Sequence, residues 1–181
     1  MKKKIIKKII LPTLDYLKKN NGTYIGFLYA GLMIKDNEPF LIEYNVRMGD
    51  PECQTILPLL ENDFLDLIEN CIKGNLQNIK LNWKRKKSIC IVLTSKGYPE
   101  KFDKNLLIQN IQNLNIGDNQ FLFHAGTKFS GENFYSTGGR VLNFVTIDEN
   151  FKLARERTLD LIRKLNWKKG HYRADIGFKV I

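Results

Sequence analysis

The stretch Leu41-Ile-Glu-Tyr-Asn-Val-Arg-Met-Gly-Asp-Pro-Glu52 decides the reading of this chain. On a strand, successive side chains point to opposite faces, so Leu41, Glu43, Asn45 and Arg47 share one face. Phe40, Ile42, Tyr44 and Val46 share the other, which is wholly apolar and is expected to pack inward. A carboxylate, a carboxamide and a guanidinium then project together. Glu43 and Asn45 are about 7 Å apart along such a strand. Both offer the hard oxygen ligands that suit Mg²⁺, and two of them can hold ions that also bridge nucleotide phosphates. Arg47 beside them can neutralise a phosphate or a developing anion bidentately. Gly49-Asp50-Pro51-Glu52 then turns the chain sharply and sets further carboxylates at a helix start. Alternation alone leaves a second reading open, the solvated polar side of an edge strand.

Upstream of this stretch, Pro12 suits a first helical turn, and Leu14, Leu17 and the lysines give a short helix over 12–19 with one apolar and one basic side. Asn20-Asn21-Gly22 is expected to stop it. The aromatic run over 24–34 reads as a strand, Lys35-Asp-Asn-Glu38 as a turn and residues 40–45 as the return strand, which makes a β-hairpin. Downstream, Leu57, Leu60, Phe64, Leu67, Ile68, Cys71 and Ile72 recur near the 3.6 period of an amphipathic helix. Asn62 is the expected cap of its second part and Gly74 its stop. The polar stretch 75–87 reads as a boundary.

A second unit follows. Ser88-Ile-Cys-Ile-Val-Leu-Thr94 is apolar on both faces, as a buried strand is. Residues 121–125 and 140–146 are further strands. Thr146-x-x-Glu149 resembles a capping box, opening a helix whose stripe is Phe151, Ala154, Thr158, Leu161, Ile162 and Leu165. Strands followed by a helix, with no βαβ repeat, predict an α+β architecture. The expected division is 1–83 and 88–181.

Composition narrows the function classes. With 181 residues and 43% apolar content the chain can bury a core. No apolar run approaches the roughly 20 residues of a membrane-spanning helix. The start, Met1-Lys-Lys-Lys-Ile-Ile-Lys-Lys, superficially resembles a signal peptide, but Lys7 and Lys8 break its apolar stretch and no small-residue cleavage site follows. A cytoplasmic location is expected. Cys53, Cys71 and Cys90 are an odd number, widely spaced and without CxxC, so they point to neither a zinc site nor a disulfide framework. The net charge of +10 invites a nucleic-acid reading. Lysine is spread along the chain with Ile and Asn, however, and only Lys84-Arg-Lys-Lys87 is a tight run. No nucleic-acid partner and no membrane partner is expected; a site for phosphorylated substrates fits better.

Glu-x-Asn-x-Arg at a strand end resembles the metal-binding signature of ATP-grasp enzymes. The longer pattern is Gly26-Phe-Leu-Tyr-Ala-Gly-Leu-Met33, Glu43-Tyr-Asn-Val-Arg-Met-Gly-Asp-Pro-Glu52, Lys96-Gly-Tyr-Pro99, His124-Ala-Gly-Thr127, Thr137-Gly-Gly-Arg-Val-Leu142 and His171-Tyr-Arg-Ala-Asp-Ile-Gly177. In this order it resembles one ATP-grasp family, the phosphoribosylamine–glycine ligases (glycinamide ribonucleotide synthetases) of purine biosynthesis, from about residue 12 to the end. The resemblance implies the C-terminal part of an ATP-grasp domain followed by the family's small mixed C-terminal domain. It implies a reaction in which ATP phosphorylates the carboxylate of glycine and the amine of 5-phosphoribosylamine attacks the acyl phosphate. Glu43 and Asn45 would bind Mg²⁺ or Mn²⁺, and Arg47 would act at the reacting centre. Asp50 and Glu52 would hold the substrate side, with Arg140 and Arg173 as further substrate-binding candidates. Met48 stands where the family usually has Phe. The family's chains are more than twice as long, and nothing here resembles their N-terminal domain, glycine-rich ATP loop or lysine-bearing strands. The chain is therefore expected to be inactive alone and to need a missing N-terminal half as partner. The rival readings are a non-catalytic relic, a basic nucleic-acid-binding module and another purine-pathway ATP-grasp ligase or carboxylase, the last opposed by the Gly-Asp-Pro-Glu and His-Ala-Gly-Thr motifs.

Other residues leave their alternatives open. His124 and His171 can each be a general base or a packed side chain. Gly138-Gly139 before Arg140 can be an anion-binding loop or a tight turn needing positive φ. Arg173 and Asp175 can line a substrate wall or pair with each other.

Overall fold

The computed structural model describes residues 1–20 and 22–181. Asn21, expected with its neighbours to stop the first helix, lies outside the described residues; Gly22 has φ +87. In chain order the elements are α1 (Lys2–Ile5), a π-helical turn (Ile6–Ile10), α2 (Leu11–Asn20), β1 (Tyr29–Lys35), β2 (Glu38–Asn45), α3 (Glu52–Ile56), α4 (Phe64–Ile72), β3 (Lys87–Ser95), β4 (Leu106–Leu107), β5 (Gln120–His124), β6 (Thr127–Ser130), β7 (Asn133–Ser136), β8 (Arg140–Asp148), α5 (Phe151–Leu165) and β9 (Gly170–His171). The paired strands are antiparallel and no βαβ unit occurs among the described residues, so the architecture is α+β. No helix among them is long and apolar enough to cross a membrane. Two compact units emerge, one of Met1–Asp50 with Asn62–Asn82, the other of Pro51–Glu61 with Trp83–Ile181.

In the first unit β1 and β2 form a hairpin. The strand runs from Tyr29, so the expected start at residue 24 is five residues too early; Gly26 has φ +142, which breaks extended structure before it. The first ten residues join the fold as helix. Ile9 is buried, and the Tyr44 hydroxyl reaches its carbonyl at 3.3 Å and meets the Thr13 hydroxyl. The rest of the apolar face does not pack inward as alternation predicts. Phe40, Ile42 and Val46 are 54%, 64% and 73% exposed. A bulge explains part of this: Gly31 pairs with Glu43 but Leu32 with Leu41, which leaves Ile42 as an extra residue. A two-stranded ribbon also cannot bury both of its faces.

The hairpin turn is tied to the N-terminal helix by charge. The Lys4 ammonium donates to Glu38 and to the Asn37 carbonyl, and Lys8 donates to the other Glu38 oxygen at 2.8 Å. These two donors pull the Glu38 carboxyl from 4.5 down to about 2. A carboxylate with a depressed folded pKa contributes stability above its ordinary value and loses it as pH falls through the folded one. The Glu38 carboxyl is thus expected to titrate near pH 2 in a carbon-detected NMR experiment. Replacing Lys4 and Lys8 with Ala should return its midpoint to near 4.5; a wild-type midpoint already near 4.5 would refute the clamp.

The helix expected from 57 to 72 is broken in two. Pro58 sits in a 3₁₀ turn at Leu57–Leu59, and Leu60 leaves it extended to bridge Trp83. Asp63, not Asn62, caps α4, its Oδ1 accepting from Leu65 N at 2.8 Å and Asp66 N at 3.2 Å. Asn62 instead joins Lys80 and Asn82. Gly74 has φ +71, fitting the expected stop.

The second unit holds the main core. Its large sheet has the order β5-β8-β3-β9, and β4-β7-β6 form a smaller one. Ile89, Ile91 and Leu93 on β3, with Leu142 and Phe144 on β8, meet Ala154, Leu161, Ile162 and Leu165 of α5. The helix stripe is the one the sequence spells, but its cap is not. Thr146 lies inside β8, and Asn150 caps α5 by accepting from Leu153 N at 2.9 Å. The short α3 also packs on β3 and β8.

Candidate functional site

In the first unit, Glu43 and Asn45 stand side by side on β2. Asn45 Nδ2 donates to Glu43 Oε1 at 3.0 Å, which i and i+2 side chains on a strand do only when they share a face. Gly31 lies opposite on β1, and a Cβ there would meet the Glu43 side chain at 3.0 Å. The missing side chain thus leaves room for the carboxylate stem. Arg47 lies past the end of β2, and its guanidinium donates to the Met48 carbonyl at 3.0 Å. Asp50 ends the first segment of this unit.

No group of three or more His, Cys, Asp or Glu side chains among the described residues could hold a metal ion by itself. Glu43 and Asn45 still fit a hard divalent cation as a two-ligand set, because such ions keep waters and take further oxygens from substrate phosphates. With Nδ2 turned toward Oε1, Glu43 Oε2 and Asn45 Oδ1 are the oxygens that would face such an ion.

In the second unit, four of the motifs picked out in the sequence meet at one end of the large sheet. Thr94 pairs with His171 on one side and with Arg140 on the other, and Gly126 N donates to the Arg140 carbonyl. Arg140 owes its direction to a bulge. Leu93 pairs with Leu142 but Thr94 pairs with Arg140, so Val141 is an extra residue. Val141 and Leu142 both enter the core, and Arg140 is carried to the face that Thr94 and His171 share. Simple alternation from Leu142 would have put it on the opposite face. Glu52 opens α3, which packs on these same strands.

The glycines at this end serve close approach, not positive φ. Neither Gly138 nor Gly139 has positive φ. A Cβ on Gly139 would fall 2.0 Å from Cδ2 of Tyr98, and one on Gly126 would fall 2.7 Å from the Arg140 carbonyl and 2.8 Å from Gly138. Ser95 fastens the corner, its hydroxyl donating to the Gly138 carbonyl at 2.9 Å and its N–H to Gly139 O at 2.7 Å. Sequence reasoning quoted Tyr98 within a motif and Thr94 at a strand end but gave neither of them, nor Ser95, a role at this corner. The signal was the Ser-Lys-Gly-Tyr-Pro run itself, whose tyrosine needs a glycine partner.

His124 is half-engaged. Its Nδ1 lies 2.9 Å from Thr127 Oγ1 and its ring rests on Phe134; burial lowers its pKa and favours neutral imidazole. Of the two readings of Arg173 and Asp175, the ion pair is present. Arg173 Nε and Nη2 donate to the two Asp175 oxygens at 3.0 and 2.7 Å, holding the carboxyl below its ordinary value and the guanidinium above. The structure does not bring Arg173 into the paired row of Arg140, Thr94 and His171.

The family described as phosphoribosylglycinamide synthetase, C domain, matches residues 88–179, and its ATP-grasp (A) domain matches residues 1–53. The phosphoribosylamine–glycine ligase of Fusobacterium nucleatum is 38% identical over 179 residues, and that of Caldanaerobacter subterraneus is 41% identical over 173. These alignments cover 98% and 96% of this chain but 42% and 41% of the relatives. The crystal structure of the phosphoribosylamine–glycine ligase from Thermotoga maritima superposes with a TM-score of 0.82 at 30% identity, over 97% of this chain and 42% of that one. The chain thus spans about two-fifths of the length of the relatives it matches. With the C-domain match covering half of it and the A-domain match preceding that in order, the chain belongs to the phosphoribosylglycinamide synthetase family.

Proposed function

We propose that this chain is the C-terminal part of a ligase that joins glycine to 5-phosphoribosylamine at the expense of ATP, a cytoplasmic step of purine biosynthesis. The observation that carries the reading is the pair of oxygen ligands, Glu43 and Asn45, touching on one strand face inside a chain of this family. Mg²⁺ or Mn²⁺ bound there would supply charge neutralisation for the phosphates of ATP, and Glu43 and Asn45 would hold it. Arg47, released from the Met48 carbonyl, donates to the transferring phosphoryl group or to the carboxylate it activates. In the first unit, Asp50 is a further candidate for holding substrate. In the second, Glu52 and Arg140 are candidates, and Arg173 is one only if it exchanges Asp175 for substrate. The deciding assay is reconstitution with the part of a relative's sequence that this chain does not match, following ADP release that requires both glycine and phosphoribosylamine.

The basic charge fits phosphorylated substrates better than a nucleic acid. Binding to duplex DNA is expected to be weak and to vanish at moderate salt, as loose phosphate contacts do. Sub-micromolar binding at physiological salt in a fluorescence-anisotropy titration would make the nucleic-acid module the better reading.

A further inference from the structure

The first unit has almost no interior. Among the described residues, Ile9 is its one buried apolar side chain, whereas the second unit closes Ile91, Leu142, Phe144 and Leu165 away from water. The apolar surface of the first unit gathers instead around a groove of about 380 Å³ between α4 and residues 25–27. Phe64, Leu67 and Cys71 line it half-buried, and Phe27 stacks on Phe64 with ring centroids 6.2 Å apart. Around them Ile25, Ile72 and Leu81 are 54%, 65% and 51% exposed. The apolar residues of α4 recur at the spacing that ordinarily buries one face of a helix, yet no residue of α4 is buried.

We infer that this groove is one half of a domain core, and that the other half comes from the part of the ligase sequence that relatives carry and this chain does not match. The occupant's identity rests on the ligase reading; the need for one stands on the exposed core. A contiguous apolar surface of this kind marks an interaction site. What is missing is a layer and not a small ligand, because an entire unit lacks the second face that elements of a domain bury against. Obligate interfaces are of this type and resemble a domain core cut in half. The chain accounts for 42% of the length of its Fusobacterium relative, so the unmatched part is longer than the chain itself and large enough to supply that layer. The lining sets the chemistry of the contact. Apart from the Cys71 thiol, every side chain around the groove is hydrocarbon, so a charged or hydroxylated segment would lose its water there without gaining hydrogen bonds. The segment that fits presents aliphatic or aromatic side chains, as a helix does with anchors at i, i+3 or i+4, and i+7.

The experiment mixes the 181-residue chain with a separately made polypeptide carrying the unmatched part of a relative, without ATP, glycine or phosphoribosylamine. Binding and turnover are then separate results. Cys71 is the reporter: its alkylation by iodoacetamide, read by mass spectrometry, should slow at least about tenfold in the complex as access to the thiolate is lost. Ile72→Glu sets an unpaired carboxylate in the contact and should weaken association, measured by sedimentation, at least about 100-fold. Ile72→Leu should bind close to wild type. Ile72 is exposed in the chain alone, so both variants should fold, which circular dichroism checks. Phe178→Glu, at an exposed apolar site of the second unit, should leave association unchanged. A complement that binds with Cys71 still open, that binds Ile72→Glu as well as wild type, or that does not fold or bind in the chain's presence would overturn the inference. Equal losses from Ile72→Glu and Phe178→Glu would do so too. A chain that sediments alone as a dimer, dispersed by Ile72→Glu, would put a second copy in the groove instead. Binding at the groove without turnover when substrates are added would count against the ligase reading alone, and turnover with the groove still open would count against this interface alone.

Discussion

The 181-residue chain mixed with ATP, Mg²⁺, glycine and phosphoribosylamine is expected to release no ADP above background. The reason is spatial. Phosphoryl transfer in such enzymes depends on positioning and charge stabilisation, so the nucleotide must be held from more than one side. This chain offers the strand with Glu43 and Asn45, and it matches 42% of its relatives' length. Two oxygen ligands hold Mg²⁺ weakly until phosphates complete the shell. Added to a separately made polypeptide carrying the unmatched part of a relative, the chain should recover turnover that depends on both substrates. Glu43→Gln or Asn45→Leu should lower that recovered rate by at least about 100-fold, since even changes one layer out from a metal cost about 10–100-fold. Turnover by the chain alone would mean that the nucleotide site lies within it. Full activity of the reconstituted Glu43→Gln protein would remove the metal assignment. No recovery with any complement would favour the relic.

Replacing Phe144 with Ala is expected to cost about 3–5 kcal/mol, the range for emptying a fully packed aromatic site. Phe144 is 0% exposed at the middle of β8, between Ile91 of β3 and Leu122 of β5, on the core face with Leu161, Ile162 and Leu165 of α5. Two sheet partners and a helix meet on one side chain, so little can collapse into the void. A unit of this size should then melt at least about 10 °C lower in near-ultraviolet circular dichroism. Phe178→Ala, at an exposed site in the same unit, should change stability by under about 1 kcal/mol. Equal effects of the two substitutions would contradict the placement of the core.

What the sequence made legible follows from periodicity. The hairpin, the Glu43–Asn45 face and the α5 stripe each repeat often enough to be read, and their side chains answer mainly to local geometry. The register slips at Ile42 and Val141 could not be read, because an alternating pattern carries no mark of a single extra residue. The first slip helps expose the apolar side of β2, and the second decides where Arg140 points. Caps were misplaced where two candidates compete: Asp63 over Asn62, and Asn150 over Thr146. In both cases the winner lies next to the first helical residue, while Asn62 is tied to Lys80 and Asn82 and Thr146 lies inside β8. The split of the expected 57–72 helix was foreshadowed by Pro58, whose ring removes a helical donor. The order β5-β8-β3-β9 was beyond reach, since nothing local tells β3 that its neighbours come from much later in the chain.

That strand order has a consequence for synthesis on the ribosome. β3 is made before both of its sheet neighbours, β8 and β9, and Lys87 must wait for Asp148. At translation speeds of about 5–20 residues per second, Ile89, Ile91 and Leu93 stay without a partner for roughly 3–12 s while the intervening segment emerges. Through that interval the nascent chain carries an apolar strand with both edges open, which is the kind of segment that chaperones shield and that pairs wrongly with other chains. Ribosome pausing within residues 96–139 should therefore lower the soluble yield more than pausing after residue 165.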